Sequence, residues 1–174
     1  MADVLSKLAG GDRRSIGQAD EVVADVLADL SLFGVVWKGI SSDDPVVRMR
    51  AADVCEKVSV SAPECLEPFK GDLLGRVAAI DQKEVRWHVA QMLPRLELDD
   101  EVERARAVEI LLGYLEDRSK IVKTFSMQAL ADLAMADPSL RPRVVALLGD
   151  LTETGSPAMR SRGRKLLAQL EDAL

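Results

Sequence analysis

Val47-Arg48, Val85-Arg86, Val122-Lys123 and Met159-Arg160 each place a cation directly after an apolar residue, at intervals of 38, 37 and 37 residues. Charges at so regular a spacing either face an anionic partner or pair with carboxylates of the chain itself. Next to Arg86 stand Trp87, one of two tryptophans, and His88, the single histidine. An exposed Trp beside an Arg has the composition of a binding anchor. A second cationic stretch, Gly10-Gly11-Asp12-Arg13-Arg14-Ser15-Ile16-Gly17, joins glycines to two arginines. That composition could cradle an anion, or form a plain turn with Asp12 as a helix cap. It lacks the Gly-Lys-Ser/Thr ending of a phosphate loop.

Other chemistry is sparse. No nucleophile–base arrangement is legible. Cys55 and Cys65 read as small, reduced, apolar residues rather than a disulfide framework. One histidine does not supply a His-based metal site. A non-enzyme with no cofactor and no metal is therefore expected. The net charge of -6 argues against a dedicated nucleic-acid binder. No apolar run approaches the roughly 20 residues that span a bilayer, and MADVLSKLAGGD does not read as a secretory signal. The expected location is cytoplasmic, with no membrane partner.

The elements that position these residues follow from the same period. The chain has 174 residues, 48% hydrophobic and 3% aromatic, so its core is built from Leu, Val, Ala and Ile, which suits helices. Small or apolar residues recur three, seven and ten positions after each cation, for example Ala51, Cys55 and Val58, and trace one helical stripe. Leu73-Leu74-Gly75, Leu111-Leu112-Gly113 and Leu147-Leu148-Gly149 end a second helix in each unit. The pattern predicts helices near 19–30, 31–41, 44–61, 64–79, 82–97, 99–116, 118–136, 139–151 and 156–172, with a short one at 2–9. Asp44-Pro45, Asp137-Pro138 and Ser156-Pro157 read as helix starts, and Pro94 predicts a kink. The expected organisation is an N-terminal cap or turn over 1–18 and a single repeat domain over 19–174. A self-similarity of about 37 residues means stacked helical hairpins.

The segments Leu73-Leu74 through Asp81 and Val85-Arg86 to Leu96, then Leu111-Leu112 through Asp117 and Val122-Lys123 to Leu133, resemble HEAT repeats. The resemblance covers residue 19 to the end. It implies an all-α, right-handed, armadillo-type α-solenoid of four to five hairpins. It also implies a structural ladder of turn carboxylates and helix cations: Asp81 with Arg86, Asp117 with Lys123, Asp43 or Asp44 with Arg48, and Arg160 where Thr154-Gly155 replaces the acid. In such a stack the second helices line the inner face. Stepping 100° per residue turns Met49, Asp53 and Glu56 outward there, then Trp87, Gln91 and Pro94, then Thr124, Gln128 and Ala131, then Ser161, Lys165 and Ala168. Trp37 reads as core. The partner-binding candidates are Trp87, His88, Arg86, Arg50, Phe125 and Arg162. The expected function is a protein-binding scaffold. The alternative is a nucleic-acid binder, similar to HEAT-like DNA glycosylases, using Trp87, Arg86, Arg50 and Asp53. A likeness to phycobilin-lyase subunits rests on fold alone.

Overall fold

The structure, a computed structural model, describes residues 4–12 and 14–172. It is all-helical, and no strand occurs among the described residues. Helix α1 spans Ala19–Ala28, α2 Phe33–Gly39, α3 Pro45–Ser61, α4 Lys70–Asp72, α5 Lys83–Met92, α6 Glu101–Tyr114, α7 Lys120–Ala136, α8 Arg141–Thr154 and α9 Pro157–Asp172. The chain divides into two compact units, Met1–Glu97 and Leu98–Leu174, where the repeat period alone had suggested one domain from residue 19.

Asp44-Pro45 and Ser156-Pro157 open α3 and α9 as expected, while Asp137-Pro138 opens a 3-10 turn, Pro138–Leu140, ahead of α8. Asp44 Oδ1 accepts the Val46 N–H (2.8 Å) and Asp100 Oδ1 the Val102 N–H (2.7 Å), each satisfying a donor that the helix cannot. Ser119 Oγ does the same for Val122 at 3.4 Å. Pro94 does more than kink the helix expected over 82–97: α5 stops at Met92 and a 3-10 turn, Leu93–Arg95, follows. The helix expected over 64–79 is not one α-helix. It runs as a 3-10 segment Pro63–Phe69 containing Pro68, then α4, then a π-helical turn Leu73–Val77. A proline inside the segment removes a backbone donor and clashes with the preceding turn, which excludes a continuous α-ladder. The Leu-Leu-Gly motif is α-helical in its two later copies.

In the first unit α3 is the central helix. It packs on α1, α2 and α5, and is buried nearly all round: Val47, Ala51, Val54 and Val58 on one side, Met49, Asp53 and Glu56 on the other. The outward face expected for α3 is therefore interior. A helix enclosed by three others has no solvent side, whatever its sequence period. Trp37 is core as expected. It stacks on Phe69 (ring centroids 4.9 Å apart) and Phe33 (6.0 Å), and its Nε1–H donates to Asp72 Oδ2 at 2.8 Å.

In the second unit α7 packs on α6, α8 and α9. Val122, Met127, Leu130 and Ala134 of α7, Val144 and Leu148 of α8, and Met159, Leu166 and Leu170 of α9 are all buried in this unit. A Cβ on Gly163 would collide with Thr152 of α8, so these two helices cross in close contact. Among the described residues no helix is long and apolar enough to cross a membrane.

Candidate functional site

The recurring cations sit four residues after the helix N-caps, where a long side chain reaches back over the preceding turn. Arg48 Nη1 donates to Ser42 O (2.8 Å) and Asp43 O (3.4 Å). Arg86 Nε donates to Ile80 O at 3.3 Å, and its Nη2 pairs with Asp81 Oδ1 at 3.0 Å, the expected ladder contact. Arg104, outside the expected set, repeats the geometry on Leu98 O (2.7 Å) and Asp99 O (2.8 Å). The acceptors are mainly turn carbonyls, which would otherwise be orphaned by the bend, so the expected carboxylate ladder is replaced at Arg48. Asp117 Oδ1 accepts the Ser119 N–H at 2.7 Å. The side chains of Lys123 and Arg160 make no hydrogen bond or ion pair among the described residues.

Polar struts also join neighbouring helices. Arg48 Nε donates to Gln82 Oε1 (2.8 Å), while Gln82 Nε2 donates to Pro45 O (2.9 Å). Further along, Arg95 clamps the end of α3 through Glu56 Oε1 (2.6 Å), Glu56 O (2.8 Å) and Ser59 Oγ (2.7 Å). Between these, His88 Nε2 lies 3.8 Å from Asp53 Oδ1. Three contacts in the same order along both helices make α3 and α5 parallel. Lys57 Nζ meets Asp53 Oδ2 at 2.9 Å and Asp20 Oδ1 at 2.8 Å, extending the network to α1. Gln82 and Arg95 were missed in the sequence, although Arg48–Gln82 and Glu56–Arg95, 34 and 39 residues apart, fall close to the repeat spacing.

His88 is not a surface contact. Burial, then the Lys57 and Arg95 cations, push its imidazole down to about 3, so it is neutral at pH 7 and its approach to Asp53 is no ion pair. His88 Nδ1 and Glu84 Oε2 are buried without a hydrogen-bond partner among the described residues. No group of three His, Cys, Asp or Glu residues able to hold a metal occurs among those residues. Burial raises the Cys55 thiol, which keeps it protonated and unreactive.

Arg50 is also corrected. It is 2% exposed, and its guanidinium is enclosed by main-chain carbonyls of the segment preceding α1. Nη1 donates to Leu8 O (2.9 Å), Ala9 O (3.3 Å) and Gly10 O (2.7 Å), Nη2 to Asp12 O (3.3 Å) and Nε to Ser15 O (3.1 Å). The glycine-rich stretch, read as either an anion cradle or a plain turn, thus turns its oxygens inward, around a cation of its own chain. Gly17 has φ +56° and lies against the guanidinium, where an added Cβ would stand 2.8 Å from Arg50 Cζ. Asp12 does not cap α1; its Oδ1 accepts the Arg14 N–H at 2.8 Å. Arg13 and the start of the short helix expected at 2–9 lie outside the described residues; the described part is a 3-10 turn, Ser6–Leu8.

Of the six expected contact residues, Trp87 and Arg86 are half-buried on α5, while Arg50 and His88 are interior. The Trp87 ring meets the His88 ring edge-on with centroids 5.6 Å apart, and the Trp87 carbonyl accepts Gln91 Nε2–H at 3.2 Å. Phe125 and Arg162 belong to the second unit, both half-buried; Arg162 Nη1 donates to Gln128 Oε1 at 2.8 Å, tying α9 to α7.

No family model matches the chain, and no curated protein matches it. Two crystal structures of engineered proteins from the Northeast Structural Genomics Consortium share its fold. One has 17% identity and a TM-score of 0.65, covering 98% of this chain and 78% of the other. The second has 18% identity and a TM-score of 0.65, covering 97% and 80%. At these identities the likeness concerns the helical architecture alone.

Proposed function

We propose that this chain is a non-catalytic, protein-binding scaffold built of HEAT-like hairpins in solenoid fashion, with Trp87 as the anchor of its binding surface. The observation that supports this reading is the fate of the polar groups around Trp87. Arg50, Asp53, Glu56 and His88, the groups with most chemical potential, are enclosed as internal struts. Trp87 is half-buried on the helix those struts fix. A large aromatic on a rigid helix suits a hot spot, because little side-chain freedom is lost on binding. The glycosylase-like alternative loses Arg50 and Asp53 to the interior.

The test compares the native chain with Trp87→Ala in pull-downs with chemical cross-linking from nuclease-treated lysate, the fold of the variant being checked by circular dichroism. A protein bound by the native chain and lost by the folded variant is the expected result. Unchanged partners would remove Trp87 as the anchor. Capture of nucleic acid alone, abolished by nuclease, would overturn the protein-binding reading.

A further inference from the structure

Helix α9 uses one side for its core and a second for α7. Met159, Gly163, Leu166 and Leu170 form its buried stripe, and Arg162 reaches Gln128 of α7. At 100° per residue, Arg160, Arg164, Leu167 and Glu171 fall in an arc of about 60°, on the flank opposite Arg162. The spacing is i, i+4, i+7 and i+11, a continuous strip along the helix. Arg160, Arg164 and Glu171 are exposed and Leu167 is half-buried. No described residue forms an ion pair with Arg160, Arg164 or Glu171.

The charges on this strip are ordered, with cations toward the start of α9 and the carboxylate toward its end. Laid antiparallel on itself, the strip is its own complement. Arg164 of each copy then faces Glu171 of the other, and Leu167 lies against Leu167 and Ala168 at the centre. The two Arg–Glu pairs flank that apolar contact. A two-fold arrangement repeats each contact twice, as isologous interfaces do.

We propose that the free flank of α9 is a docking surface for a second copy of this chain, forming an antiparallel α9–α9 dimer. The surface belongs to the second unit and does not rest on the Trp87 reading.

The test is sedimentation velocity on the full chain over a concentration series from micromolar to near-millimolar, at low and high salt. The variants are Arg164→Glu, Glu171→Arg and the two combined, each checked for native helicity. The expected result is a reversible dimer weakened by salt. Each single reversal turns two attractive pairs into two repulsive ones and weakens it about tenfold. The combined variant rebuilds both pairs with the signs exchanged, and dimerisation returns. A chain that stays monomeric throughout would overturn the proposal. So would a dimer indifferent to the single reversals, or one the combined variant fails to restore.

Discussion

Replacing Arg50 by Met tests the clamp around the guanidinium. Methionine keeps most of the apolar stem volume and removes every donor. Five carbonyl contacts disappear, three of them at 2.7–3.1 Å. The bond to Leu8 O is buried, so that oxygen loses its partner in a place water does not easily reach, at about 1–3 kcal/mol. The oxygens of Gly10 and Ser15 lie in exposed residues and rehydrate, recovering most of their loss. The methionine also escapes the cost of burying a charge. The expected net destabilisation is about 1–3 kcal/mol, set mainly by the Leu8 carbonyl and read from urea unfolding of the first unit. Hydrogen exchange at the Arg14 and Gly17 amides, now bonded to Asp12 and Ser15 side chains, should quicken. Gly17→Ala supplies a cross-check. In the native background it suffers both a positive φ and the collision with the guanidinium; in Arg50→Met only the backbone penalty of about 1–2 kcal/mol remains. The two losses should therefore be less than additive. A loss under about 1 kcal/mol for Arg50→Met with unchanged exchange, or strict additivity with Gly17→Ala, would refute the clamp.

His88 predicts an acid limb in the stability profile. Its folded-state pKa, down at about 3 from 6.5, means the unfolded chain binds the proton more tightly. Stability is full above pH 6.5 and falls as pH drops through the window from 6.5 toward 3, by up to about 1.4 kcal/mol per pH unit. His88→Gln should flatten that limb by one proton, measured as the slope of unfolding free energy against pH; an unchanged slope would place the proton elsewhere. In the second unit, Gly163→Ala should cost about 1–3 kcal/mol by overpacking the α8–α9 crossing. Thr152→Ala, which clears the space, should recover part of that loss in thermal melts, and full additivity of the two would deny the contact.

The helices were legible because their signals are local. Asp44-Pro45 and Ser156-Pro157 announce starts, Pro94 announces a break, and the stripe through Ala51, Cys55 and Val58 gives the period. The side of a helix that meets solvent was less legible. The 100° rule turned Asp53 and Glu56 outward, but α5 and Arg95 close over them, and periodicity within one helix carries no information about its neighbours. Arg50 was harder still. Its partners are backbone oxygens up to 42 residues away, and a carbonyl has no sequence signature. His88 looked accessible beside Trp87, yet one residue of helical turn separates a half-buried ring from an interior one. The spacing of Glu56 and Arg95 was the signal left unread: opposite charges near the repeat period are candidates for struts between parallel helices.

The Arg50 clamp also sets an order of assembly during synthesis. The residues that wrap the guanidinium leave the ribosome before it does, and Arg50 follows Leu8 by 42 positions. At about 5–20 residues per second, the wrapping segment waits some seconds for the cation that its carbonyls enclose. Until then the segment has only its local turn contacts, such as Arg14 N–H to Asp12 Oδ1 and Gly17 N–H to Ser15 Oγ. It is shaped last, by a residue made after it, and the first unit closes only when α3 has emerged.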